Sequence, residues 1–212
     1  MIIQFLNELN KKNIILASSS PRRKEIIEKL GIAIQVLPST FEENLDPKDF
    51  SSPGNYVIET AKGKTREIAG RVSAEQKPID LIIGADTCVA LGGNIFGKPK
   101  DDKDAFQMLK KLGGKSHEVI TGVHLMAKKS DNTWHESEFS EVTTVKFASL
   151  TDELIQSYVN TKEPMDKAGG YGIQGIGGSL IEGIDGDYYN VMGFPLHRFT
   201  SYLLSIFEMW KM

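Results

Sequence analysis

The sequence predicts an α/β fold built around a mixed β-sheet, and three observations carry that expectation. Short apolar runs alternate with segments of helical periodicity over the first half of the chain. Two longer strand-like runs, residues 119–127 and 139–147, then follow each other with only a polar connection at 128–133. Composition is that of a globular domain, with 40% of residues hydrophobic and 25% charged. Alternation favours parallel pairing and clustering favours antiparallel pairing, so one sheet is expected to hold both.

Residues 1–12 mix apolar and polar residues in a loosely helical pattern and are expected as an N-terminal extension to one domain over 13–212. Residues 13–17 suit a buried strand. The helix after it is signalled at both ends, by Ser20 as N-cap, Pro21 as first helical residue and Gly31 past the end. Residues 32–37 read as a second strand, 41–55 as a loop containing Pro47 and Pro53, and 56–72 as a helix through Val57, Ala61 and Ile68. Residues 80–85 are the clearest buried strand, ending at Asp86. A hairpin is expected around Gly92, Gly93 and Asn94. Asp101 or Asp102 caps a helix carrying Ala105, Met108, Leu109 and Leu112, and Gly113 stops it. Thr151, with Asp152 and Glu153, starts another helix. A glycine-rich stretch follows, and Pro195 opens a C-terminal helix that buries Phe199, Leu203, Ile206, Phe207 and Trp210.

At 212 residues the chain can form one large domain or two lobes sharing a core. Its net charge of −3 argues against nucleic acid or an anionic membrane as partner, so any phosphate-binding surface must be a local basic patch. No stretch approaches the ~18 apolar residues of a membrane-spanning helix, and the N-terminus lacks a signal-peptide pattern. Cys88, the one cysteine, has no partner for an intramolecular disulfide. A cytosolic protein is expected.

Four constellations bear on chemistry. Ser18-Ser19-Ser20-Pro21-Arg22-Arg23 places two arginines in the first turn of a helix, where the macrodipole disfavours cations by about 0.3–1 kcal/mol each. A bound anion would offset that repulsion and use the N–H groups, hydroxyls and guanidinium groups together; a solvated arginine pair is the plainer alternative. Gly84-Ala85-Asp86-Thr87 sets a carboxylate at the end of an apolar strand, where it can accept a proton from water or hold a divalent cation, or simply cap a turn. Lys64, Lys98, Glu42 and Glu43 acquire meaning only in context. Last, nine of the 20 glycines lie within 169–193, an entropic cost consistent with close approach of backbone to a ligand, with Tyr171 or Gln174 touching a base. The Gly170-x-Gly172-x-x-Gly175 spacing lacks the strand and helix of a dinucleotide site, and Gly63-Lys64-Thr65 lacks the earlier glycine of a P-loop.

These segments, in this order, resemble the Maf family of nucleotide pyrophosphatases from about Ile14 to Leu204. The resemblance rests on Ala17-Ser18-x-Ser20-Pro21-Arg22-Arg23, Gly84-Ala85-Asp86-Thr87, Gly97-Lys98-Pro99, the run from Asp166 to Gly175, and Gly193-x-Pro195-Leu196. It implies a two-lobed α/β fold around a long mixed sheet, similar to inosine triphosphate pyrophosphatase, and a homodimer. It also implies cleavage of a nucleoside triphosphate between its α and β phosphates, with a divalent cation (Mg, Mn or Co). By motif match Asp86 is the proton acceptor, while Ser18, Arg22, Arg23, Lys64 and Lys98 contact substrate. Glu43 joins Asp86 as an acidic, metal-side residue, and Arg22, Thr87 and Gln174 fall where nucleotide preference is set. The Tyr-Gly-Ile-Gln-Gly form is similar to the branch acting on dTTP, UTP and modified pyrimidine nucleotides. The chain departs from many members at Phe96-Gly97, where they carry a carboxylate. Two alternatives stand beside this expectation: a pyrophosphatase for methylated guanosine or other modified purine triphosphates, and a nucleotide-binding regulator of cell division without turnover.

Overall fold

The computed structural model describes residues 2–211. Its sheet has seven strands: β1 (Ile14–Leu16), β2 (Gln35–Val36), β3 (Leu81–Leu91), β4 (Asn94–Phe96), β5 (Ser116–Lys128), β6 (Trp134–Phe147) and β7 (Ile181–Asp185). The order is β2-β1-β3-β5-β6-β7, with β4 paired to β3 alone. β1 pairs in parallel with β2 and β3, whereas the pairings of β3 with β5, β5 with β6 and β6 with β7 are antiparallel. The expected mixed sheet is therefore present.

Seven α-helices accompany it: α1 (Leu6–Leu9), α2 (Pro21–Glu28), α3 (Pro53–Ala74), α4 (Asp102–Leu112), α5 (Asp152–Asn160), α6 (Tyr188–Met192) and α7 (Leu196–Lys211). Caps explain several boundaries. Ser52, Asp101 and Thr151 each accept a hydrogen bond from the backbone N–H three residues on, at 3.2, 2.8 and 3.2 Å. Ser20 stands at the N-cap of α2 as expected, but its side chain makes no capping bond.

One face of the sheet carries two separate hydrophobic clusters. The first gathers Ile14 and Leu16 of β1, Ile26 and Ile27 of α2, Leu81, Ile83 and Ala85 of β3, and Phe199, Leu203, Ile206 and Phe207 of α7. Ile2 and Leu9, from the expected N-terminal extension, are buried in it, and Phe5 stacks on Phe207 at 4.7 Å. The second joins Val89, Phe96, α4, the ends of β5 and β6, and α5. On the opposite face, α3 packs along β3 and β5 through Val57, Ile68, Ala69 and Val72. Two lobes thus share one central pair of strands.

Glycines permit the close seat of α3. A Cβ at Gly84 would lie 2.6 Å from the Ala61 carbonyl, and one at Gly122 would lie 2.5 Å from the backbone of Val57 and Ile58. Backbone cannot yield as a flexible side chain does. Gly122→Ala is expected to destabilise the protein by about 1–3 kcal/mol through overpacking, read as a lower denaturant midpoint. Gly70→Ala, at a helical position with nothing within 4 Å of the new methyl, is the control and should hold or raise the midpoint. An unchanged midpoint for Gly122→Ala would contradict the close packing of α3.

Candidate active site

β3 is paired on both edges near its ends but on only one edge in its middle. β1 pairs with it as far as Leu16 opposite Ile83, with one further bond from the Ala17 N–H to the Ile83 carbonyl at 2.8 Å. β4 takes up the same edge from Val89 opposite Phe96. Between these points residues 84–88 pair with β5 alone, and Asp86, Thr87 and Cys88 line a cleft. Peptide groups alternate between edges along a strand, so those of Ala85 and Thr87 share the direction of Ile83 and face the gap.

Side chains alternate as well, between the faces of the sheet. Asp86 falls with Ile82 and Cys88 on the α3 side, and Thr87 falls with Ala85 and Val89 on the side of the two cores. Asp86 was expected at a strand's end; instead β3 runs through it to Leu91. The reason is that Cys88, Val89 and Ala90 resume burial beyond Asp86 and Thr87, and β5 is long enough to pair with the whole strand.

Each face supplies a cation. From α3, Lys64 reaches over Gly84, and its Nζ donates to Asp86 Oδ1 at 2.8 Å and contacts Glu43 Oε1 at 3.0 Å. Lys64 and Asp86 are 8% and 14% exposed, against 56% for Glu43, so one ammonium joins a sheltered carboxylate to an open one. From α2, Arg23 is buried: Nη2 donates to Thr87 Oγ1 at 3.0 Å, Nη1 to Ser18 Oγ at 3.1 Å and Nε to the Gly193 carbonyl at 2.9 Å. Burial lowers the Arg23 pKa, opposed by the nearby Asp86 and Glu43 carboxylates.

The arginine pair divides because neighbours on a helix point about 100° apart. Arg23 turns inward, while Arg22 crosses the cleft to Asp166 in the second lobe. Its Nη1 donates to Asp166 Oδ2 at 2.7 Å and its Nη2 to the Asp166 carbonyl at 3.1 Å. Burial raises the Asp166 pKa, but hydrogen bonds from Lys167 and Arg22 outweigh it and hold the carboxyl below its ordinary range.

Ser18, Arg22, Arg23, Glu43, Lys64, Asp86, Thr87, Lys98 and Gln174 all line one cavity of about 550 Å³. Its wall carries five cations (Arg22, Arg23, Lys64, Lys98 and Lys167) against three carboxylates (Glu43, Asp86 and Asp166), so it is locally basic in a net acidic chain. Asp86 and Glu43 converge on one ammonium and offer hard oxygen donors. Among the described residues no three His, Cys, Asp or Glu side chains gather as a metal-binding group. That set suits an ion held by one or two carboxylates and completed by a ligand's oxygens.

Two residues differ from expectation. Tyr171, a possible base contact by sequence, lines the cavity but is 5% exposed, packs against Phe147 and His117 in the second core and shares its hydroxyl with His117, whereas Gln174 is exposed at the cleft. Asp166 stands in a sequence motif, yet its pairing with Arg22, 144 residues away, had no local signal. Cys88 lines the cavity, but burial, with Asp86 nearby, pushes its thiol up to about 12, so it is no nucleophile at neutral pH.

Fold and site together define an α/β protein with a cation-lined cleft around one sheltered carboxylate. The chain belongs to the Maf family, whose description is "Maf-like protein" and which matches residues 13–206. A human protein named "Probable bifunctional dTTP/UTP pyrophosphatase/methyltransferase protein" is 46% identical over 206 residues, covering 95% of this chain; the chain spans 33% of that protein's length. A dTTP/UTP pyrophosphatase of Clostridium botulinum (strain Okra / Type B1) is 44% identical over 196 residues, covering 92% of this chain and 97% of that one. Among solved structures, a HAM1 protein from Coxiella burnetii is similar with a TM-score of 0.47 at 14% identity, over 92% of this chain and 99% of that one.

The Tyr171 hydroxyl and His117 Nε2 share a hydrogen bond at 2.7 Å, which ties the glycine-rich segment to the second core. Burial pulls the His117 pKa down to about 4, whereas an unfolded histidine titrates near about 6.5. As pH falls the unfolded chain takes up this proton first, so stability present above pH ~6.5 is lost toward the folded value and then levels off. This one residue is expected to account for a loss on the order of 3 kcal/mol. The measurement is denaturant unfolding across that window for the wild type and His117→Gln, whose pH slope should be flatter. Equal slopes in the two proteins would refute the assignment.

Proposed function

We propose that this protein hydrolyses nucleoside triphosphates between the α and β phosphates, releasing a nucleoside monophosphate and pyrophosphate, with dTTP and UTP as substrates. The observation that carries the reading is the convergence of nine residues from separate stretches of the chain, Asp86 among them, on one basic cavity. The names of the human and Clostridium relatives support the pyrimidine preference.

Phosphoryl chemistry asks chiefly for positioning and charge neutralisation. A triphosphate brings about four negative charges. Arg22, Lys64 and Lys98 present cations at the cavity wall, and the peptide N–H of Thr87, on the unpaired edge of β3, faces the same cavity. Arg23 is tied by three hydrogen bonds, so it acts at the base of the site, fixing Ser18, Thr87 and Gly193 while adding charge. Asp86 accepts the proton of the attacking water, oriented by its contact with Lys64. Asp86 and Glu43 would hold a divalent cation, Mg, Mn or Co, which would supply positive charge to neutralise the phosphates. Gln174, exposed at the cleft, offers a carboxamide to the edge of the base. The full reading includes a homodimer in the cytosol; in the chain itself no helix among the described residues is long and apolar enough to cross a membrane.

Phosphate release coupled to an inorganic pyrophosphatase, over a panel of triphosphates with Mg²⁺ and with Mn²⁺, tests the function. The expected result is turnover highest on dTTP and UTP. A flat response would leave a nucleotide-binding protein, and preference for methylated guanosine triphosphate would move the substrate class. Asp86→Asn is expected to lower kcat by about 10²–10⁴-fold with KM little changed; wild-type turnover would remove Asp86 from its role. Arg22→Ala should raise KM, and an unchanged KM would take Arg22 out of the phosphate site.

A further inference from the structure

The segment 171–177 contains three glycines (Gly172, Gly175 and Gly177) and no strand pairing, yet it carries Gln174 to the cleft. Ile176 is 58% exposed, so burial of that side chain does not hold the far end in place. Tyr171 and Ile173 anchor its start in the two cores, and beyond them the backbone is held by one carboxylate and one phenol. Glu163, in the 3-10 turn Glu163–Asp166 after α5, accepts from the Gly177 N–H on Oε1 and from the Ile176 N–H on Oε2, each at 2.9 Å. The Tyr158 hydroxyl donates to Glu163 Oε1 at 2.9 Å and accepts from the Gly172 N–H at 3.3 Å. The pair thus grips the segment at both ends, and Gln174 stands between the grips.

The glycine spacing fits this clamp. A Cβ at Gly175 would lie 2.4 Å from Glu163 Oε2, and one at Gly177 would lie 2.4 Å from the Tyr158 hydroxyl. Backbone N–H groups can reach these oxygens only where no side chain intervenes. The Tyr158 ring is itself buried in the second core, 2% exposed, so the clamp is anchored to the lobe and not to the loop. Burial raises the Glu163 pKa, but the Gly177 and Ile176 N–H groups and the Tyr158 hydroxyl outweigh it and hold the carboxyl below its ordinary range. The charged carboxylate therefore remains the acceptor at neutral pH.

We propose that Glu163 and Tyr158 are positioning residues for nucleotide selectivity, acting through Gln174 by fixing the 172–177 backbone. This rests on the reading of the cleft as a nucleotide site with Gln174 at the base. A carboxamide selects its partner by direction, so a backbone that wanders loses discrimination before it loses phosphate binding.

Tyr158→Phe removes both hydroxyl bonds and keeps the ring; Glu163→Gln places an N–H₂ group against backbone donors. Each is expected to lower the ratio of kcat/KM for UTP to that for GTP by about tenfold, the worth of one hydrogen bond, with kcat on the preferred substrate little changed. Glu163→Asp, which keeps the charge, should recover part of the ratio. In a Gln174→Ala background Tyr158→Phe should change the ratio no further, because the two residues act in series. Amide hydrogen exchange of Tyr158→Phe should show faster exchange at 172–177 with the rest of the second lobe unchanged. Equal losses on every nucleotide, the same shift in the Gln174→Ala background, or unchanged exchange at 172–177 would each overturn the proposal. If Gln174→Ala alone leaves the ratio unaltered, the base-contact reading fails and the clamp's role in selectivity falls with it. A shifted ratio in Gln174→Ala beside a wild-type ratio in Tyr158→Phe would reject the clamp alone.

Discussion

A strand has hydrogen-bonding groups on two edges, and in the middle of β3 only one edge is used. β1 stops opposite Ile83 and β4 begins opposite Val89. A buried strand with an unpaired edge needs other partners for its peptide groups: the Lys64 ammonium approaches the Ala85 carbonyl at 3.5 Å, and from Asp86 to Cys88 the strand lines the cavity. The site follows from that gap. Period-2 alternation sends Asp86 to the α3 face and Thr87 to the α2 face, and each meets a basic side chain delivered by the helix on its side. The two hydrophobic clusters part where Thr87 stands between Ala85 and Val89, so the cleft between lobes and the open edge coincide.

Gathering five cations in one cavity is electrostatically unfavourable, and the carboxylates offset it. Lys64 is shared by Asp86 and Glu43, and Arg22 by the side chain and carbonyl of Asp166. These partners serve as internal counterions: they hold the cations at the wall in fixed directions, and an incoming polyanion exchanges one set of oxygens for another. Arg23 differs because its acceptors are hydroxyls and a carbonyl, which leave its charge uncompensated by direct contact. A buried guanidinium kept without a paired carboxylate projects its field into the cleft at little reorganisation cost when an anion arrives.

Much of this was legible in the sequence. Ser20, Pro21 and the paired arginines marked the start of α2, and Asp101 and Thr151 marked α4 and α5, because caps are local chemistry. β2 shrank to Gln35–Val36, since Ile32 and Ile34 pack into the first core without continuing the ladder. The end of β3 was misread because Asp86 and Thr87 interrupt its apolar pattern; the interruption marks the site and not the strand's end. Seven of the nine cleft residues lie in the ordered motifs, with Glu43 and Lys64 outside them, but which face inward is not legible there: Arg22 and Arg23 look alike in sequence and are separated by helical geometry alone. Asp166 and Glu163 act through partners whose identity depends on the fold, and no spacing rule points to them.

The cavity's parts divide by what carries them. Lys64, Asp86 and Thr87 sit on α3 and β3, the helix and strand that run past both hydrophobic clusters, and Gly84 and Gly122 lock that helix to the sheet. Arg22, Lys98 and Gln174 stand on the first turn of one lobe's helix and on loops of the other. Under the proposed function the proton acceptor and its cation therefore share a rigid frame, and their separation does not depend on how the lobes sit. The groups that meet the outer phosphates and the base depend on loops whose order must come from elsewhere: Asp166 for Arg22, Glu163 and Tyr158 for Gln174. A chemistry that tolerates several nucleotides then needs only the frame, while preference among them is written in the loop restraints.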